Sequence, residues 1–314
     1  MIRKESMMNF PMKKSAASLY ALLSITFWGV SFVSTKAVLD KLDPYTLLVI
    51  RFGIGSAFLF VLLVILREKI KISLSYLPHL IILGILGVFI HQVIQATALL
   101  TIDASAAGWM ISFSPVFTVI LSMIFLNEKL SLTKVIGMIL AIFGVFLITT
   151  VGADQDLEGS LHIGYFLMIL STLNWAVYSV LLKKLRIPFS PLVITFYMSF
   201  LGFLLTLPFL LRNRGWEAMS TLDRTEWGHL FFLGIFVSGV AYWYWAKALS
   251  VLEASQVSVF LYLEPLATLL AAIFFLQEKI MLISVIGGII IIIGVIFVNG
   301  QVKRIFPFFT DKRK

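Results

Sequence analysis

Glu264 is the residue in this sequence whose position most suggests chemistry. It lies in Tyr262-Leu263-Glu264-Pro265, about ten residues into an apolar run long enough to cross a bilayer. A charge at mid-membrane costs at least ~2.5–3.5 kcal/mol on insertion scales, so an intramembrane carboxylate is a functional hypothesis by default. Desolvated there, Glu264 is a candidate proton carrier, a counter-charge for an ammonium group, or a structural Glu bonded to a neighbouring helix. Moving back by 150 positions places Ser114 where Glu264 stands and Pro115 where Pro265 stands. Each proline removes an N–H and pushes away the carbonyl four residues earlier, at Ile111 and Leu261. Freed carbonyls at mid-depth can line a cavity or act with a hinge, so Pro115 and Pro265 are candidate gate positions as well as ordinary kinks.

Other polar and aromatic residues fall at helical spacing. His91, Gln92 and Gln95 form one group, with His91 and Gln95 four apart on one face. The same shift of 150 takes Gln92 to Tyr242 and Gln95 to Trp245, within the run 242–245. One wall of amide and imidazole and one of aromatics suit a solute with a polar head and an apolar body. A membrane histidine is as readily a helix-to-helix hydrogen bond. Ser24, Trp28, Ser31 and Thr35 lie along one stripe, mirrored by Ser171, Trp175, Tyr178 and Leu182. Such a stripe lines a cavity or glues helices. Arg51, Lys36, Lys183 and Lys247 sit within a turn or two of expected helix ends, where snorkelling accounts for them. Glu128-Lys129 and Glu278-Lys279 fall in turns, where capping and loop electrostatics suffice.

The elements that must hold these residues follow from hydropathy. With 60% hydrophobic and 13% charged residues among 314, and a mean hydropathy of +1.01, the chain is a polytopic membrane protein. Runs of about 20 apolar residues predict ten spans, at 16–37, 45–66, 77–99, 104–126, 133–151, 162–184, 191–211, 227–249, 254–276 and 282–300. Trp216 and Trp227 read as interfacial anchors. The net charge of +9 does not indicate nucleic acid, because the positives occupy short loops and tails. With the N-terminus in the cytoplasm, 18 Lys and Arg fall on inside segments and 6 on outside loops, while Asp154, Asp156 and Glu158 fall outside. That predicts both termini cytoplasmic. The lack of cysteine excludes disulfides and thiolate metal sites. The first apolar segment follows a basic tail but has full spanning length, so it reads as a helix, not a cleaved signal.

Residues 79–145 align without a gap on 229–295 with 24 identities, including Gly84/Gly234, Ala104-Ser105/Ala254-Ser255, Pro115/Pro265, Gly137/Gly287 and Gly144/Gly294. Upstream the shift becomes 147, pairing Trp28 with Trp175, Lys36 with Lys183 and Pro44 with Pro191. Two halves of five helices are expected, at 16–151 and 162–300, between basic cytoplasmic tails at 1–15 and 301–314. Five is odd, so the second half enters the membrane inverted, as in secondary transporters whose sites lie near the midplane between repeats. The fold class is therefore all-α integral membrane, ten transmembrane helices as two inverted-topology repeats. The glycines at 137, 144, 287 and 294 mark a tight seam, either scaffold or dimer surface.

These residues resemble the EamA-type, ten-helix branch of the drug/metabolite transporter superfamily. The resemblance spans about 16–300 and rests on Trp28-Gly29 and Trp175-Ala176, on Lys36 and Lys183, on Arg51-Phe52, and on the segments from Pro115 to Glu128-Lys129 and from Tyr262-Leu263-Glu264-Pro265 to Glu278-Lys279. In the second half Met198 stands in the place of Arg51. The resemblance implies export or exchange of small metabolites, often amino acids, by alternating access in a plasma membrane. The residues keep lipophilic-cation efflux and sugar-phosphate or nucleotide-sugar carriage open. With the basic residues near helix ends and a carboxylate in the middle, they favour a neutral, zwitterionic or cationic solute. A membrane enzyme lacks its clustered acids and histidines, and a non-transporting scaffold or sensor is the alternative of another class. No cofactor or metal is expected; proton coupling and pairing of two chains are open.

Overall fold

The computed structural model describes residues 12–102, 104–151, 163–276 and 282–298. Glu278-Lys279, the acidic loop at 154–158, most of the two tails and the end of the last span lie outside the described residues.

The described chain is helical from end to end. Helix α1 is Lys14–Leu39 and α2 is Pro44–Ile65. Helix α3 covers Leu74–Ala98, and α4 runs as Ala104–Ile111 and then Ser114–Leu126. Helix α5 is Leu132–Val151, α6 Ile163–Leu185 and α7 Pro191–Arg212. After a five-residue helix at Gly215–Met219, α8 covers Arg224–Val251. Helix α9 runs as Ala254–Ser258, a 3-10 stretch Val259–Leu263, and Glu264–Leu276, and α10 is Leu282–Val298. Among the described residues, seven helices are long and apolar enough to cross a membrane: α1, α2, α3, α6, α7, α8 and α9 as far as Ala271. The apolar helices at 114–126, 132–144 and 285–298 are shorter.

The two halves begin their elements with the same local chemistry. Asp43 caps α2, its Oδ1 accepting from the N–H groups of Tyr45 (3.0 Å) and Thr46 (3.2 Å), with Pro44 at the first helical position. Ser190 does the same for α7 before Pro191. In α3 and α8 the middle is wound as π-helix, at Ile85–Ile90 and Leu233–Ala241. These stretches fall at corresponding places of the repeat, and π-turns free carbonyls and rotate everything that follows. In α4 and α9 the winding breaks just before the proline, as expected where a ring replaces an N–H and crowds the preceding turn.

The halves meet along α5 and α10. A Cβ built on Gly144 would stand 2.5 Å from the carbonyl oxygen of Gly287, and one on Gly294 would stand 2.5 Å from that of Gly137. The glycine seam is therefore filled within the chain, so of its two readings these glycines serve as scaffold between the halves. The outward faces of the same helices carry Ile139, Phe143, Ile289 and Ile292, all exposed, as suits contact with lipid tails.

Lys36 and Lys183 do not snorkel. Lys36 Nζ donates to the carbonyls of Leu99 (2.8 Å) and Ile102 (3.1 Å), just beyond α3. Lys183 Nζ donates to Leu249 (3.0 Å) and Leu252 at the end of α8. Each lysine closes the C-terminal carbonyls of a helix in its own half, where the macrodipole also favours a cation. Replacing Lys183 by Met should lower stability by about 1.5–3 kcal/mol, the range for hydrogen bonds to charged groups. The exposed Lys71→Met is the control expected to change little in the same thermal unfolding of detergent-solubilised protein. In the turn between α1 and α2, Lys41 pairs with Glu226 of α8 at 2.7 Å, and that hydrogen bond holds its ammonium above the usual lysine range.

Candidate functional site

The breaks, π-stretches and repeat-related tryptophans converge on one central cavity. Its walls come from Trp28 and Ser31 of α1, Arg51 of α2, and His91, Gln92 and Gln95 of α3. Ile111 of α4, Trp175 of α6, Tyr242 of α8, and Leu261 and Glu264 of α9 complete it. Both halves contribute. The space left between these side chains admits little more than roughly one water, so the site is constricted.

Repeat-related residues meet here. The rings of Trp28 and Trp175 stand edge-to-face with centroids 4.9 Å apart. Gln92 Nε2 donates to the hydroxyl of its counterpart Tyr242 (3.0 Å), which donates in turn to the Gly87 carbonyl (2.9 Å) inside the π-stretch of α3. His91 Nδ1 lies 2.8 Å from Ser171 Oγ, and its ring lies 4.8 Å from that of Trp175. His91 thus both faces the cavity and joins α3 to α6.

Glu264 opens the last section of α9 and is 2% exposed, its Oε2 buried without a hydrogen-bond partner among the described residues. The indole N–H groups of Trp28 and Trp175 are likewise buried and unpartnered. Unsatisfied buried polar atoms are costly, and beside a cavity a bound solute or water can supply the missing partner. Gly29 explains how α1 comes so near: a Cβ there would lie 2.6 Å from the Ala267 side chain and 2.9 Å from the Glu264 carbonyl. Thr268 Oγ1 bonds the Gly29 carbonyl at 2.9 Å.

Three expected wall residues lie elsewhere. Ser114 is fully buried, its Oγ donating to the Thr172 carbonyl (3.4 Å) against α6, so it does not line the cavity opposite Glu264. Tyr178 turns to Met198, with its hydroxyl 3.9 Å from the sulfur. Trp245 backs the cluster from behind, Nε1 donating to Ser179 Oγ (3.3 Å). Ser24 serves as glue, donating to the Ala241 carbonyl across the halves (2.9 Å).

Arg51 is the residue that sequence reasoning misplaced. It is 2% exposed, its Nε donates to Ser238 Oγ in the π-stretch of α8 (2.7 Å), and it lines the cavity. Among the described residues Arg51 and Glu264 make no ion pair with each other. The available signal was a charge eight residues into an apolar helix, at a place where the second half carries Met198.

Such a bundle of apolar helices around a polar and aromatic cavity walled by both halves defines a multi-pass membrane protein of transporter type. Residues 15–150 and again 162–300 match the model of the EamA-like transporter family, and the chain belongs to that family. It is 33% identical over 279 residues to an uncharacterized transporter of Archaeoglobus fulgidus, covering 88% of this chain and 96% of that one. It is 26% identical over 295 residues to the uncharacterized transporter YyaM of Bacillus subtilis, covering 92% and 94%. A crystal structure 19% identical in sequence covers 94% of this chain and superposes with a TM-score of 0.75, a likeness of fold.

Proposed function

We propose that this protein is a secondary transporter of small dipolar organic solutes, neutral amino acids foremost, working by alternating access in the plasma membrane. Its ten helices cross the membrane as two inverted repeats of five, with both termini in the cytoplasm, and cargo moves outward. The lysine and arginine distribution supports the orientation, and the gapless internal repeat supports the inversion. The observation that carries the substrate class is the cavity wall, where Glu264 and Arg51 stand unpaired with each other among Trp28, Trp175 and Tyr242. A solute with an ammonium and a carboxylate satisfies both charges, and its body packs on the rings.

Arg51 also revives one other cargo class. A phosphorylated solute needs a buried cation, and here one is present. The unpartnered carboxylate in the same wall opposes it. A lipophilic cation suits Glu264 and the rings but is opposed by Arg51. Purified protein in liposomes, assayed for counterflow with neutral amino acids, sugar phosphates and lipophilic cations, separates the three. Saturable exchange of the amino acids is expected, and Arg51→Met should reduce it by about 10- to 100-fold, the scale of one lost hydrogen bond to a charged group. Counterflow confined to either other class, or absent for all with and without a pH gradient, rejects the reading.

A further inference from the structure

Away from the cavity, the turn after α4 reaches across to the other half. Asn127 ends α4 with φ 55°, a left-handed conformation that Asn tolerates, and the Glu128 N–H returns to the Ser122 carbonyl (3.3 Å). That turn aims Glu128 at the start of α9. Oε1 accepts the Ala254 N–H (2.7 Å), while Oε2 accepts the Ser255 N–H (3.1 Å) and the Ser255 hydroxyl (2.6 Å). Beside it Lys134 of α5, itself 7% exposed, donates to Ser255 Oγ (3.0 Å) and pairs with Glu253, the residue preceding α9. Its third contact is the Lys129 carbonyl at 3.2 Å. Among the described residues, all of the Glu128 side chain's bonds, and two of the Lys134 side chain's three, join first half to second.

We propose that Glu128 and Lys134 form a latch that shuts the central cavity toward the face bearing the α4–α5 and α8–α9 turns, and that its release is the opening step at that face. Helices α4 and α9 lie alongside each other. The start of α9 touches the second piece of α4, and the last piece of α9 touches the first piece of α4. Both helices are broken between those ends, beside cavity residues Ile111 and Leu261. One end can therefore part by bending at the breaks while the α5–α10 glycine seam keeps the halves together. The bonds that must part are charge-assisted and end on a helix N-terminus, which makes them strong yet reversible. The proposal rests on the transporter reading but not on any particular cargo.

The test uses the full chain, which contains no cysteine. Ser31→Cys places a single thiol on the cavity wall, and membrane vesicles of each orientation are treated with a membrane-impermeant thiosulfonate. Adding Glu128→Ala should raise the modification rate from the latch face by about tenfold or more, as losing charged hydrogen bonds shifts the closed–open balance. The rate from the opposite face should stay level or fall. Lys134→Met, which leaves Glu128 and its helix cap intact, should move the rate in the same direction and serves if Glu128→Ala fails to fold. An equal rise at both faces, or no change at either, overturns the latch. Because accessibility is read without cargo, this outcome is independent of the counterflow panel.

Discussion

Glu264→Gln should abolish the dependence of flux on an imposed pH gradient while leaving insertion and folding intact. Glutamine keeps the shape and one carbonyl oxygen but cannot gain or lose a proton across this range. In the structure the carboxylate is buried, lines the cavity where α9 resumes its winding, and leaves Oε2 without a partner among the described residues. A group so placed has the two attributes a carrier of protons or ammonium needs: contact with the cargo space and no competing bond. We expect at least about 100-fold loss of gradient-driven uptake, the scale on which removing one essential proton-transfer group acts. Counterflow without a gradient separates the two roles. If Glu264 only holds an ammonium, Gln raises the half-saturating cargo concentration and the wild-type flux shows no pH dependence to lose. An unchanged pH profile in the variant removes the proton role.

The second large effect concerns stability. Gly294→Leu should prevent α5 and α10 from packing, with a loss of about 3 kcal/mol or more, at or beyond the upper end for overpacking because the obstacle is backbone. A Cβ at 294 meets the Gly137 carbonyl oxygen at 2.5 Å and the Ala141 nitrogen at 2.8 Å, and neither atom can rotate away. Gly144→Leu should behave alike, given the Gly287 carbonyl oxygen at 2.5 Å and the Ile291 nitrogen at 2.9 Å. Gly228→Ala supplies the contrast. It lies within α8 with nothing inside 4 Å of its Cβ, so alanine should be neutral or stabilising by up to about 1 kcal/mol through helix propensity. Monodispersity after detergent extraction and thermal unfolding measure all three. Equal stability of Gly294→Leu and wild type contradicts the seam.

Much of this arrangement was legible before any coordinates. The repeat, the helix starts at Pro44 and Pro191, the breaks before Pro115 and Pro265, and the grouping of Trp28, Trp175, Gln92 and Tyr242 all follow from local chemistry or from matching positions in two copies. Local signals are written in the chain because a cap, a proline or a run of apolar residues acts within a turn or two of itself. The internal repeat adds long-range information that a single sequence usually lacks: residues in equivalent places approach one another wherever a pseudo-axis passes between them.

What a side chain meets on the next helix depends instead on depth and rotation, and these are properties of the assembled bundle. A π-stretch in α3 and another in α8 set the phase of the residues after them, and the neighbouring helices then decide their surroundings: Tyr242 lines the cavity, while Trp245 lies behind it against Ser179. Lys36, Lys183 and Arg51 share a place near helix ends in the sequence, yet two close the carbonyl ends of neighbouring helices and one enters the cavity. A lone cation's charge and hydropathy are identical in these settings; only the neighbours differ. Hydropathy and internal repetition alone make the chain a repeated bundle of apolar helices with a mid-span carboxylate in its second half. Tertiary packing decided that Arg51, not Ser114, shares the cavity wall with Glu264, because Ser238 and the π-stretch of α8 draw the guanidinium inward while Ser114 finds its acceptor on α6.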